Sequence, residues 1–366
     1  MTDSGDTAVT AGLRDRLWQA VLDGDAYTTT DVLRQSLDAG LDKETLLLGL
    51  VAPVQEQVGL AWAANRITVA QEHAATAANE RAVTALIPAA SARRRQRGRV
   101  TVACVDGEWH AFPARLVAEV LQLHGWQVDY LGPQIPVAHL IDHLHRTGAD
   151  AVLLSSSIPA RLPTAHAVIT ACQAAGMPVM AGGRAFGPDG RYARACGADR
   201  WAADARGAAA ALEAGLRAPG PAAARQAVDD LPHLADQEYT MVVGARSRLV
   251  EQTLTDLEKD APAMQLYTDV QRHRTAEDFA FIVDFLATAL YVDDTDLFTG
   301  FVTWTADVLE ARSVSARCLP PGLDLIARQL RDFPRATALL REGAAAVAAR
   351  PRPGPGETAP GPGGVA

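Results

Sequence analysis

The stretch Arg99-Val100-Thr101-Val102-Ala103-Cys104-Val105, followed at once by Asp106-Gly107-Glu108-Trp109-His110, decides how this 366-residue chain folds. A short β-branched apolar run gives way to a polar loop, and a helical pattern over Pro113–His124 follows. The same rhythm recurs four times. Gln127–Leu131, Ala151–Leu154, Pro178–Ala181 and Arg200–Ala202 read as strands. Val137–Arg146, Pro163–Ala175, Gly190–Cys196 and Ala205–Leu216 read as the helices after them. Five such alternations predict a five-stranded, doubly wound, flavodoxin-like parallel sheet over residues 97–217. Ligands of such sheets bind beyond the carboxyl ends of the strands, at the topological switch point. Three of those ends read Glu108-Trp109-His110, Ser155-Ser156-Ser157 and Gly182-Gly183.

Upstream, residues 1–95 carry apolar residues at helical spacing: Leu13, Leu17 and Val21, then Leu46, Leu47, Leu50, Val54 and Val58. They predict a bundle of about four helices, with Asp31 and Asp42 as caps and an alanine-rich helix from Ala74. The run Arg93–Arg97 reads as a solvated linker. Downstream, residues 218–229 read as a second linker and 228–348 as an all-helical domain. The Pro/Gly-rich tail, 349–366, is expected to be disordered.

Composition narrows the function classes. The formal charge is −9, against a basic nucleic-acid-binding face. Lysine occurs only at Lys43 and Lys259, which removes the P-loop lysine and argues against Schiff-base chemistry. Cys104, Cys172, Cys196 and Cys318 are scattered without a CxxC pair, against a disulfide framework or a structural zinc site. No run of 18 apolar residues and no signal pattern is visible, so a soluble, cytoplasmic protein with no membrane contact is expected.

A carboxylate two residues before a histidine suits a metal-binding imidazole, because it orients the ring and raises its basicity. Glu108 and His110 stand so, with small hydroxyls at Ser155 and Ser157 and glycines at Gly182 and Gly183 on neighbouring strand ends. This set resembles the cobalamin-binding Rossmann module, whose pattern is Asp-x-His-x-x-Gly, Ser-x-Leu and Gly-Gly. The resemblance makes His110 the lower cobalt ligand, with Glu108 as its partner. It puts Ser155, Ser157, Gly182 and Gly183 along a slot for the displaced nucleotide tail. Glu108 replaces Asp, Pro113 replaces the pattern's Gly and Ser157 its Leu. In the bundle, Trp62 precedes Glu72-His73 by nine intervening residues. This Trp-x9-Glu-His spacing resembles the cobalamin-dependent photoreceptors of bacterial light-responsive regulators, in which these residues contact the adenosyl group of adenosylcobalamin. Those regulators carry a histidine where this chain has Ala63, so an aqua- or hydroxocobalamin photoproduct is expected here. Read alone, Trp62 is a core aromatic and Glu72 a solvated helix charge.

The order of bundle, cobalamin module and C-terminal helices resembles the photocobilins, which add a biliverdin-binding domain. The resemblance implies propionate partners among Arg246, Arg248, Arg272, His273 and Arg274. It implies an aromatic slot among Tyr267, Phe279, Phe281, Phe285, Tyr291, Phe298, Phe301 and Trp304, and a pyrrole partner at Asp278, Asp293 or Asp294. Aromatics at this spacing also suit a plain helical core, and Cys318 is a weak candidate for thioether attachment. His139 and His143 share a helix face but lack further metal ligands.

The expectation is therefore a non-enzymatic light sensor that binds adenosylcobalamin and biliverdin. It is expected to be homo-oligomeric and to signal to a protein partner rather than to DNA. The alternatives are a corrinoid carrier for a methyltransferase, and a B12-dependent regulator whose C-terminal helices bind only a protein.

Overall fold

A computed structural model describes residues 3–86, 97–216, 236–260 and 267–350. It divides into two compact units, Met1–Ala224 and Arg225–Ala366. The first linker except Arg97, the second linker and the tail from residue 351 lie outside the described residues.

The first unit opens with helices α1 (Asp3–Leu22), α2 (Ala26–Asp38), α3 (Lys43–Ala63) and α4 (Val69–Leu86). Asp42 caps α3 as expected, accepting the Thr45 amide at 2.9 Å. Asp31 does not cap α2. It lies one turn inside the helix and pairs with Arg34, and Asp25 does the capping through the Tyr27 and Thr28 amides. Helix α3 is long and apolar enough to cross a membrane. Its Leu46, Leu47, Leu50, Val51, Val54 and Val58 are, however, fully buried in the bundle core with Leu17, Val21, Val32 and Leu33. Each such side chain contributes about 1.5–3 kcal/mol by leaving water.

The sheet follows the predicted alternation. Strands β1 (Arg99–Cys104), β2 (Gln127–Gly132), β3 (Ala151–Ser155), β4 (Val179–Gly182) and β5 (Arg200–Ala202) are all parallel. Their order is β2-β1-β3-β4-β5, which puts the switch point between β1 and β3. Helices α5 (Ala111–Leu123), α6 (Val137–Thr147), α7 (Leu162–Ala174), α8 (Arg191–Ala195) and α9 (Ala205–Glu213) connect and flank them. One register row, Cys104–Ser155–Gly182–Ala202, aligns the carboxyl ends of four strands. Bundle and sheet share a core, because Phe112, Leu116 and Val120 of α5 pack among the bundle leucines and valines.

Polar contacts reinforce this docking. His124, after α5, bonds Glu44 of α3 at 2.9 Å and Glu213 of α9 at 3.3 Å, and Arg206 reaches Glu44 at 2.7 Å. Arg97 pairs with the same Glu213, and Asp42 and Lys43 stand beside them. The Glu44 hydrogen bond raises the His124 pKa, and the His124 bond lowers that of Glu44. A raised histidine stabilises the fold below its unfolded pKa of ~6.5 and loses that contribution as pH rises through the folded value. The lowered Glu44 stabilises above ~4.3 and loses its share as pH falls. The docking is therefore strongest between about pH 5 and 6.5. The wild-type melting temperature is expected to fall from pH 6 to pH 8, and His124→Ala to flatten that decline, by no more than about 1 kcal/mol because the groups are partly exposed.

The second unit contains α10 (Glu238–Asp260), α11 (Asp269–Val292), α12 (Thr295–Ala311), α13 (Leu319–Gln329) and α14 (Pro334–Ala348). Thr268 and Gln271 form a capping box at the start of α11. Buried Glu238 accepts the Arg335 and Ala336 amides at the start of α14, where a carboxylate offsets the positive helix end. Gly322 lets α13 approach α11 and Gly343 lets α14 approach α12: a Cβ there would stand 2.5 Å from the Phe279 ring and 2.7 Å from the Phe298 ring.

Candidate functional site

Strand β1 ends at Cys104, and the Val105 amide still pairs with the Ser155 carbonyl at 2.9 Å. The chain then turns sharply. Gly107 adopts φ +78° and the Glu108 amide bonds back to Val105. The turn drives the Glu108 side chain inward, where it is fully buried.

Two loops close on that carboxylate. From the β1 loop it accepts the His110 amide at 2.9 Å and the His110 ring Nδ1 at 2.6 Å. From the β3 loop it accepts the Ser156 hydroxyl at 3.1 Å and the Ser157 and Ile158 amides at 2.7 and 3.0 Å. Burial alone would push the carboxyl pKa up. The hydrogen bonds from the His110 ring and the amides of His110, Ser157 and Ile158 outweigh it and bring the value down to about 2. Glu108 is thus a carboxylate at neutral pH. It acts only as an acceptor, so Nδ1 of His110 carries the proton. Nε2 is the ring nitrogen not engaged by Glu108, and the side chain is 49% exposed.

A half-exposed imidazole backed by a buried carboxylate fits a metal ligand. Among the described residues no group of three or more His, Cys, Asp or Glu could hold a metal together. His110 therefore suits a metal that brings its remaining ligands with it, as cobalt does in a corrin.

The strand-end residues take distinct parts. The amide of Ser157, not its hydroxyl, serves Glu108. The hydroxyls of Ser155 and Ser157 form no hydrogen bonds among the described residues and remain for a ligand. Gly183 is required by the chain itself: its φ is +98°, and a Cβ would stand 2.3 Å from the Ser156 carbonyl oxygen. Gly182 has less room than an open slot, with a Cβ meeting the Ala202 carbonyl at 3.2 Å. Gly183 thus keeps the end of β4 tight against the loop that grips Glu108, and Gly182 keeps β4 tight against β5.

In the bundle, Trp62 is partly buried against the core. Glu72 accepts the Thr76 hydroxyl at 3.1 Å and lies 2.7 Å from Nδ1 of exposed His73, the nitrogen that also faces the Val69 carbonyl at 3.0 Å. Arg184, directly after Gly183, bonds Glu56 of α3 at 3.0 Å. The bundle therefore reaches the carboxyl edge of β4. Trp62 stands six residues beyond Glu56 on the same helix, roughly 9 Å along its axis.

Three residues at this edge have parts that the sequence does not assign them. Ser156 is buried and bonds Glu108, a role that strand alternation between Ser155 and Ser157 could have indicated. Trp109 is 64% exposed and stands edge-on to His110 at 6.3 Å. Arg161 lies against Gly107, which no local pattern signals.

In the second unit, three of the cations expected to anchor a tetrapyrrole already face carboxylates. Arg272 pairs with Glu258 and His273 with Glu277, each at 3.3 Å, and Arg246 forks onto Asp284. Phe279, Tyr291 and Phe298 belong to the core. Asp278 differs: burial and nearby Glu277 push its carboxyl up to about 6, against the pull of Arg312 and Arg274. Asp278, Phe281 and Phe285 share a face of α11. Phe285 stacks on Phe301 at 3.6 Å, and Phe281 and Trp304 are exposed.

Residues 98–213 match the family model described as B12 binding domain, and residues 13–87 match a second model of the same description. Both matches lie within the first unit. The chain is 23% identical over 205 residues to the trimethylamine corrinoid protein of Methanosarcina barkeri, covering 54% of this chain and 94% of that one. Among solved structures, the Methanosarcina barkeri monomethylamine corrinoid protein is similar at 20% identity and a TM-score of 0.48, over 56% of this chain and 99% of that one. A cobalamin-binding protein from Desulfitobacterium hafniense is similar at 20% identity and a TM-score of 0.32, over 55% and 97%.

Proposed function

We infer that this chain, a cobalamin-binding protein by its two matched domains, is a light sensor that holds adenosylcobalamin between bundle and sheet. The observation that carries the reading is Trp62 with Glu72-His73 on the bundle that reaches the β4 edge through Glu56 and Arg184. His110, oriented by Glu108, would be the residue that holds the corrinoid through its cobalt. Adenosylcobalamin supplies a cobalt–carbon bond that visible light breaks. Trp62 excludes water above a flat ligand, and Glu72 and His73 supply polar contacts to a ribose. When those contacts are lost, the bundle–sheet equilibrium shifts, and with it association with a second copy or a protein partner. The role is non-enzymatic.

The comparisons favour a second reading, a corrinoid carrier in methyl transfer, because the relative matched over 205 residues is named a trimethylamine corrinoid protein. Free adenosylcobalamin also photolyses, so a spectral change alone does not separate the two. The test compares affinities for adenosyl- and methylcobalamin in the dark, then measures the molar mass of the complex before and after illumination. A sensor prefers the adenosyl form, loses that preference in Trp62→Ala, and changes mass in light. Equal affinities and an unchanged mass support the carrier.

For the second unit, exposed Phe281 on the helix face of Asp278, and exposed Trp304 beside Phe301, support a bilin as second chromophore. Biliverdin is expected to give a red-absorbing band. Its absence would leave these helices as a protein-docking domain.

A further inference from the structure

Arg161 closes the turn Pro159–Arg161, immediately after the Ser155–Ile158 segment whose amides grip Glu108. Its guanidinium lies against the loop that carries Glu108 and His110. A Cβ at Gly107 would stand 3.1 Å from Nη1 and 3.2 Å from Cζ. Its Nε is buried without a hydrogen-bond partner. Among the described residues the guanidinium makes no ion pair, whereas Arg99, Arg115, Arg184 and Arg206 of the same unit each face a carboxylate. Glu108, on the adjoining residue, is already filled by His110, Ser156, Ser157 and Ile158. A cation so placed, with an orphaned buried donor, is costly unless an anion completes it.

We propose that Arg161 binds the phosphodiester of the cobalamin nucleotide loop. The corrin periphery carries neutral amides, and the nucleotide loop carries the ligand's single phosphate. With His110 on cobalt, the displaced nucleotide must pass the β1 and β3 loops to reach the strand ends at Ser155 and Gly182, and Arg161 bridges those two loops. A planar guanidinium fork matches phosphate geometry better than an ammonium does. The proposal rests on His110 being the lower ligand.

The test titrates wild type, Arg161→Ala and Arg161→Lys with hydroxocobalamin and with aquocobinamide, a corrinoid that lacks the nucleotide loop and its phosphate. Arg161→Ala is expected to weaken cobalamin binding about tenfold or more and to leave cobinamide binding unchanged, with Arg161→Lys in between. Equal weakening of both corrinoids would overturn the proposal and make Arg161 a loop support, and so would no weakening of either. An acidic partner protein as its true ligand would appear as that second outcome. His110→Ala serves as the separate control. If it leaves the cobalamin spectrum unchanged, the ligand reading has failed, whatever Arg161→Ala does.

Discussion

Replacing His110 with alanine is expected to abolish the histidine-ligated absorption spectrum of the cobalamin complex while leaving the fold nearly intact. The ring is half exposed, and its removal leaves Glu108 with the Ser156, Ser157 and Ile158 donors. Stability should therefore change by no more than about 1 kcal/mol. Affinity should fall further, because loss of an outer partner of a metal ligand already costs roughly 10–100-fold and loss of the ligand itself costs at least as much. An absorption titration with hydroxocobalamin reads both quantities. A mutant spectrum identical to wild type would remove His110 from the cobalt.

Glu108→Ala is expected to act on fold and ligand together. It strips the acceptor from three buried or partly buried donors of the β3 loop and from the His110 ring and amide. Leaving buried donors unmet costs about 1–3 kcal/mol each, and breaking a buried charged network about 3–5 kcal/mol in all. For a unit of this size that corresponds to a melting temperature lower by roughly 6–20 °C. The freed imidazole loses its orientation, so cobalamin affinity should also fall by about 10–100-fold. Glu108→Gln keeps the shape but replaces one acceptor oxygen by a donor, and should lie between. Thermal unfolding checks the first effect and titration the second. A Glu108→Ala melting point equal to wild type would contradict the central place given to this carboxylate.

The two substitutions separate what the sequence could reveal from what it could not. The strand–helix alternation is a local signal, so the five strands fall within a residue or two of expectation. The Glu108–His110 pair was legible because both partners stand in one turn. The donors that complete it were not, since Ser156, Ser157 and Ile158 lie about fifty residues away and meet Glu108 only because β1 and β3 are neighbours. Ser157 was expected to act through its hydroxyl and acts through its amide. Gly183 stands where a slot for a ligand is expected, and its first duty is to spare the Ser156 carbonyl. Asp31 was read as a cap because it precedes Val32 and Leu33, yet Asp25 starts the helix earlier with the Thr28 hydroxyl as an added partner. In the second unit, aromatic spacing could not separate core from surface. Helix packing does so, burying Phe279 and Phe298 against glycines and leaving Phe281 and Trp304 outside.

The central claim is that a protein histidine, held by Glu108, is the lower ligand of cobalt. Electron paramagnetic resonance of the Co(II) complex made with 15N-histidine-labelled protein and unlabelled cobalamin tests it most directly. Ligation by His110 predicts that the nitrogen superhyperfine pattern changes from a triplet to a doublet on labelling, and that Glu108→Ala weakens that signal. A triplet unchanged by the label would show that the cofactor's own base remains on cobalt, and would contradict the account.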